Sequence, residues 1–156
     1  MNIFVDADAC PVKEIIVKIA KDRGVPVTML MDTSHQWADG YSDVIIVDKA
    51  RDAVDLALIN RCSKGDIIIT QDYGVAALAL GKGAKALNQN GLIYSDKNMD
   101  RLLFDRHLGQ KVRRSGGRTN QPKRRSKEDD DRFEAALINI LKDNNKDFTA
   151  SSRFAT

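Results

Sequence analysis

The sequence predicts an α/β fold, a three-layer α/β/α arrangement with a mostly parallel central sheet and additional C-terminal helices. Two observations support this prediction. Short apolar runs alternate with amphipathic stretches along much of the chain, which is the pattern of strands joined by crossover helices. Some runs are apolar on both faces, as in "DIIIT" (residues 66–70). Strands of that kind belong in a parallel sheet that helices cover on both sides.

The predicted elements begin with a strand and a helix. Pro11 fits the first turn of this helix, because its missing N–H would have no partner there, and Gly24 fits its end. Four apolar runs are predicted as strands, at residues 2–6, 25–31, 44–47 and 65–70, with short edge strands at "AKALN" (84–88) and "GLIYS" (91–95). Further helices are predicted for about 50–62, from Val75 to Gly81 or Gly83, and for about 98–114 and 127–143.

The length of 156 residues predicts one domain. We expect this domain to span residues 1–143 and residues 144–156 to be a disordered tail. The apolar runs are shorter than the roughly 20 residues of a membrane span, and the N-terminus lacks signal-peptide features. Cys10 and Cys62 stand apart, without metal-site or disulfide spacing, which is typical of a cytoplasmic protein.

The charge is distributed unevenly along the chain. Residues 111–127, here called the basic segment, contain eight Lys or Arg and no acid, so the rest carries −5 although the chain sums to +3. Such a segment predicts a nucleic-acid partner bound through its phosphates, and it has no aromatic residue for base stacking. The expected contacts are Arg113, Arg114, Arg118, Lys123, Arg124 and Arg125. The alternative is a solvated segment that keeps the protein soluble.

Aspartates follow two of the predicted strands at their carboxyl ends. Asp6 and Asp8 follow the first strand, and Asp72 follows the fourth. Asp55 and Asp52 lie three apart on one face of the intervening helix. In open parallel sheets, ligands bind beyond the carboxyl ends of the strands. Clustered carboxylates without a His or Cys pair are typical of a hard cation, so we expect Mg²⁺ or Mn²⁺ at this edge.

Simpler roles exist for the same residues. Asp8 and Asp72 are each suited to capping the helix that follows, and Asp52 to a solvated position in the first helical turn. Three residues are candidate accessory groups of the site: Asp52, Thr70, and His35 as a phosphate donor. Cys10 is a poor candidate nucleophile, because neighbouring acids raise the pKa of its thiol.

Four motifs in combination resemble a known bacterial family. The segments "FVDADACPVK", "DAVDLALI", "DIIITQDYG" and "RRSGGRTNQPK" resemble the YaiI/YqxD-type family, whose fold is similar to the PIN-like and NYN nuclease superfamily. The resemblance covers residues 2–142. It implies a metal-dependent nuclease with Asp6, Asp55 and Asp72 at the positions of the superfamily acids. Many relatives of this fold dimerise, so a homodimer is a further expectation.

The resemblance is incomplete at one position. Many PIN-like enzymes carry a fourth acid shortly after the third, and the nearest candidates here, Asp96 and Asp100, lie in no matching motif. The expected mechanism uses Asp6 and Asp72 as metal ligands, Asp55 as a ligand or orienter of water, and Asp8 as a supporting acid.

Three functions therefore follow from the sequence. The first is a metal-dependent nuclease that hydrolyses phosphodiester bonds, with RNA favoured over DNA. The second is a non-catalytic PIN-like module that binds RNA or a ribonucleoprotein. The third is a haloacid-dehalogenase-type phosphatase, because "FVDADA" has the D-x-D opening of that class and Thr70 ends a later strand. The phosphatase also needs a late pair of acids, for which the sequence has no convincing match.

Overall fold

The computed structural model describes residues 1–50, 52–116 and 124–153, and it describes the side chains of these residues except those of 113 and 145–153. Its centre is a five-stranded sheet of β1 (Ile3–Asp6), β2 (Val27–Asp32), β3 (Asp43–Val47), β4 (Ile67–Ile69) and β5 (Lys85–Leu87). All neighbouring strands pair in parallel, in the order β3-β2-β1-β4-β5. The strand β1 is therefore central, and β3 forms one edge.

Five helices cover the two faces of the sheet. They are α1 (Lys13–Arg23), α2 (Ala53–Arg61), α3 (Tyr73–Gly81), α4 (Asp96–Arg114) and α5 (Lys127–Arg153). One core lies under α1 and α5, where Ile16 and Phe133 are fully buried. The other lies under α2, α3 and α4, and includes Leu58 and Ala76. These layers confirm the predicted three-layer α/β/α fold with a parallel sheet.

The alternation of side chains along β1 explains where Asp6 lies. Ile3 and Val5 belong to the core beneath α1 and α5, whereas Phe4 belongs to the opposite core beneath α2. Successive residues of a strand point to opposite faces. Asp6 therefore continues the side of Phe4, and its carboxylate lies on the side of the sheet that α2 and α3 cover.

The element boundaries differ from the predictions in a few places. Pro11 lies two residues before α1, but Gly24 ends the helix as predicted, with a left-handed φ of 65° that glycine accepts without strain. The predicted strand "GLIYS" is wrong: it forms only an isolated bridge between Leu87 and Ile93, because the chain leaves the sheet at once to begin α4.

The last helix is longer than the sequence pattern indicates. The α5 helix continues from the predicted end at 143 to Arg153, and that stretch contains no Gly or Pro that would end it. Residues 154–156 of the expected tail lie outside the described residues. Among the parts of the chain that are described, no helix combines the length and apolar character needed to cross a membrane.

Candidate active site

The carboxyl ends of three parallel strands bring the aspartates to one edge of the sheet. Asp6 is the last residue of β1, and Asp8 follows it in a turn. Asp72 follows β4 and is the N-cap of α3, while Asp55 lies in the first turn of α2. Asp32, which the sequence analysis did not single out, is the last residue of β2.

Asp6 is surrounded by other acids. Burial is the main reason that its pKa is raised from 3.8 to about 6, and the charges of Asp55, Asp8 and Asp72 raise it further. The Thr70 hydroxyl, which donates to Asp6 Oδ2 at 3.2 Å, acts in the opposite direction. The carboxylates that act on one another here are called the acidic cluster: Asp6, Asp8, Asp55 and Asp72.

Asp55 belongs to the same cluster by its electrostatics. Burial raises its pKa above the usual value, and the charges of Asp72, Asp52 and Asp8 raise it further. Asp52 is exposed and occupies the N-cap position of α2 in a left-handed conformation with φ 64°. Such a conformation is uncommon for a residue other than glycine, although aspartate tolerates it better than most. Asp52 therefore adds negative potential at the edge of the cluster.

Thr70 connects two members of the cluster. Its side chain is 2% exposed, and its hydroxyl oxygen accepts a hydrogen bond from the Asp72 backbone N–H at 3.1 Å while donating to Asp6. Asp72 in turn accepts from the Val75 backbone N–H at 3.0 Å. The alternative interpretation of Asp72 as a helix cap is thus confirmed, and its backbone N–H remains bonded to Thr70, which also binds Asp6.

Asp8 does not cap α1, as its alternative interpretation required, because the N-cap is Val12 without a side-chain bond. Its Oδ1 accepts instead from the Asp32 backbone N–H at 3.0 Å. His35 Nδ1 lies 3.1 Å from the Oδ1 atoms of both Asp8 and Asp32. The loop histidine is therefore held between two carboxylates.

Asp32 has the opposite electrostatics to Asp6. Its Oδ1 accepts from the Ser34 backbone N–H at 2.8 Å and contacts the Ser34 hydroxyl and His35. The Ser34 hydroxyl, its N–H and His35 together hold the pKa of Asp32 down to about 2. The signal that could have found Asp32 is its position, because it follows the second apolar run as Asp6 ends the first.

The carboxylates differ in how closely they approach one another. Among the described residues, Asp8, Asp32 and His35 are the group whose ligand atoms lie within 4.8 Å of one another. Asp6, Asp55 and Asp72 do not form so close a group. Mg²⁺ usually keeps several waters in its coordination shell and binds one or two carboxylates directly. A partly hydrated ion at the acidic cluster would need only one or two of these carboxylates as direct ligands, and its charge would offset the repulsion at Asp6.

A small cavity lies beside Asp6. Its lining residues are Asp6, Cys10, Ile69, Thr70, Gln71 and Gln89. Burial, together with the charge of Asp6, raises the pKa of the Cys10 thiol, so the protonated thiol is a poor nucleophile, as the sequence indicated. Gln71 has a structural contact, since its side-chain amide donates to the Ala9 backbone oxygen at 2.7 Å.

The basic segment is described only at its two ends. Arg114, at the end of α4, and Arg124 are exposed. Arg125 instead contacts Asp130 and the residues after β5. Of the other expected contacts, Arg118 and Lys123 lie outside the described residues, and so does the side chain of Arg113. The candidate fourth acids Asp96 and Asp100 are not among the charges that shift the pKa of Asp6 or Asp55.

Fold and site together define a class: a parallel three-layer α/β/α protein with carboxylates gathered at the carboxyl edge of its sheet. A family model described as "Uncharacterized BCR, YaiI/YqxD family" matches residues 4–143. The chain belongs to this family, as the sequence motifs indicated.

Curated relatives match over nearly their full length. The UPF0178 protein of Ruminiclostridium cellulolyticum is 68% identical over 142 residues, which cover 91% of this chain and 93% of the relative. The UPF0178 protein of Clostridium acetobutylicum is 50% identical over 143 residues, covering 90% and 97%. A crystal structure of a single-site mutant of Rae1 (YacP) from Bacillus subtilis superposes with a TM-score of 0.43 and 14% identity, covering 74% of this chain and 84% of that one.

Proposed function

We propose that this protein is a nuclease that hydrolyses phosphodiester bonds with Mg²⁺ or Mn²⁺, with RNA favoured over DNA, and that it works in the cytoplasm. The observation that carries the proposal is the position of Asp6, a half-buried carboxyl at the end of the central strand whose pKa is raised to about 6 by burial and by the charges of three other acids. Perturbed carboxyls in such clusters concentrate at functional sites. The family resemblance of the motifs supports the same chemistry.

The chain supplies the ligands and their support. Asp6, Asp55 and Asp72 would hold the ion, and Asp8, the fourth member of the acidic cluster, contacts His35. Thr70 fixes the orientation of Asp6 through its hydroxyl. When bound, the ion would activate a water and stabilise charge on the phosphate. The exposed arginines of the basic segment would hold the phosphate backbone of the substrate.

The test is cleavage of labelled RNA and DNA oligonucleotides in Mn²⁺, Mg²⁺ or EDTA. We expect metal-dependent cleavage that the double variant Asp6→Asn plus Asp72→Asn abolishes while the fold is retained. The control is Asp22→Asn, an exposed aspartate on α1, which leaves cleavage unchanged. Undiminished cleavage by the folded double variant contradicts the proposed site.

Other outcomes would favour the other functions. Salt-sensitive binding of RNA without cleavage under either metal favours the non-catalytic binding module. A phosphoryl group trapped on Asp6 after reaction with a phosphate monoester favours the phosphatase.

A further inference from the structure

The half-buried guanidinium of Arg125 makes contacts through all three of its nitrogens. Its Nε donates to Asp130 Oδ1 at 2.7 Å. Its Nη1 donates to Asn90 Oδ1 and its Nη2 to Gln89 O, both at 2.8 Å. The last two acceptors lie in residues 88–91, here called the β5 turn. A planar fork engaged on every nitrogen is an anchor between two elements rather than a free phosphate contact.

The β5 turn is itself a well-fixed structure. Asn88 Oδ1 accepts from the backbone N–H groups of Asn90 and Leu92, both at 2.9 Å. Gly91 has a φ of +84°, and a Cβ there would lie 2.6 Å from the backbone oxygen of Arg132. The turn therefore packs directly on the backbone of α5, where only glycine fits. Arg125 closes this junction from the side of the basic segment.

The junction adjoins the acidic cluster. Gln89, whose backbone oxygen accepts from Arg125, also lines the cavity beside Asp6 and Cys10. The C-terminal end of the basic segment is thus fastened next to Asp6, while exposed Arg124 precedes the anchor.

We propose that Arg125 is a positioning residue that fastens the end of the basic segment to the β5 turn, so that a nucleic-acid strand bound at the neighbouring exposed Arg124 is presented to the acidic cluster. The catalytic consequence rests on the proposed nuclease function, whereas the anchoring does not. Arg125 touches neither substrate nor ion in this role, and acts through Gln89 and Asn90.

The first experiment separates positioning from phosphate binding by steady-state kinetics. We expect Arg125→Ala to lower kcat by about 10- to 100-fold, through misplacement of the substrate, with KM and the salt dependence of binding unchanged. Arg124→Ala is expected to raise KM and to reduce the slope of log K against log salt by about one. Arg125→Lys keeps the charge but not the fork, so we expect no rescue. A weaker, less salt-sensitive binding in Arg125→Ala, or rescue by lysine, overturns the proposal.

The second experiment tests the anchor without any cleavage. In a Cys62→Ala background, the rate at which a disulfide reagent modifies Cys10 reports opening of the cavity wall. We expect this rate to rise severalfold in Arg125→Ala and in Asn90→Ala, which removes one contact only, and to be unchanged in Arg23→Ala at the exposed end of α1. Unchanged Cys10 reactivity in a folded Arg125→Ala overturns the anchor. Absence of cleavage by the wild-type protein would instead overturn the nuclease function, and the anchoring role of Arg125 would then be tested by Cys10 modification alone.

Discussion

Asp6 and Asp32 end neighbouring parallel strands at the same edge of the sheet, yet their pKa values move in opposite directions. The pKa of Asp6 is raised to about 6, mainly by burial and then by neighbouring acids. The pKa of Asp32 is lowered to about 2 by the Ser34 hydroxyl, the Ser34 N–H and His35. The position at a strand end is shared, so the difference comes from what surrounds each carboxylate.

Both burial and hydrogen-bond donors separate the two groups: burial is the largest cause of the shift at Asp6, and hydrogen bonds from Ser34 are the largest at Asp32. Asp66 is more deeply buried than Asp6, at 4% exposure, but its oxygens accept from the backbone N–H of Asn2 and from both the N–H and hydroxyl of Ser63. Asp6 has the hydroxyl of Thr70 and several acids. A partly buried carboxylate with so few donors is costly, and a cation would supply the missing positive charge.

The largest expected effect is that of Asp6→Asn on the free energy of unfolding, measured in the absence of metal. Because the native pKa of Asp6 is raised from 3.8 to about 6, native protein binds more protons, and stability falls as pH rises from about 4 to about 6. The full loss at pH 7 is about 3 kcal/mol. We expect Asp6→Asn in EDTA to be more stable than wild type at pH 7 by up to this amount, measured by urea unfolding.

Asp32→Asn gives the matched opposite result. The native pKa of Asp32 is lowered to about 2, so its contribution is present above pH 4 and is lost as pH falls toward 2. We expect this variant to be less stable than wild type at pH 7 and to converge with it in acid. An Asp6→Asn variant that is less stable than wild type at pH 7 would contradict the electrostatic difference between the two strand ends.

The next effect is the stabilisation of the folded protein by a bound metal ion. It distinguishes an ion held at Asp6 from one held at Asp32 and His35. An ion at 100 times its Kd stabilises the native state by about 2.7 kcal/mol. We expect Mn²⁺ and Mg²⁺ to raise the Tm of wild type and of Asp32→Asn but not of Asp6→Asn, measured by thermal unfolding against EDTA. Protection that survives in Asp6→Asn and disappears in Asp32→Asn would place the ion at Asp8, Asp32 and His35 instead.

The smallest expected effect comes from removing the Thr70 hydroxyl that donates to Asp6. Thr70→Val removes the hydroxyl that donates to Asp6 and accepts from the Asp72 N–H. We expect a loss of about 1 kcal/mol, and a pH-dependent decline in stability that extends to higher pH because the pKa of Asp6 rises further. Thr28→Val, at a half-buried position of β2, is the control and should leave the pH profile unchanged. An unaltered profile in Thr70→Val would show that the hydroxyl does not govern Asp6.

The sequence carried enough information for the sheet and for part of the site. Apolar runs located all five strands, and the strand ends located Asp6, Asp8 and Asp72. Asp32 was missed because its role depends on β2 lying beside β1, where Leu30 pairs with Asp6, and on His35 folding back between two carboxylates. Pairing order is a property of the assembled sheet that local patterns do not encode.

The contacts of Arg125 were also beyond the sequence. Composition places it among the basic residues, but its partners Gln89 and Asn90 lie 36 and 35 positions away. Only the packing of the β5 turn against α5 brings these groups together. A charge pattern predicts that a segment is basic, whereas the fold decides which of its charges remain exposed.

The strand β3 has a consequence for how the protein behaves at high concentration. It forms an edge of the sheet, and its Ile46 is 48% exposed within the apolar run "VIIV". An edge strand of this composition is a template for pairing with other molecules, and flanking charges oppose such aggregation. Asp43 and Asp48 bound the run on its two sides. The charges of these two aspartates, which lie outside the acidic cluster, oppose pairing of this edge with another molecule.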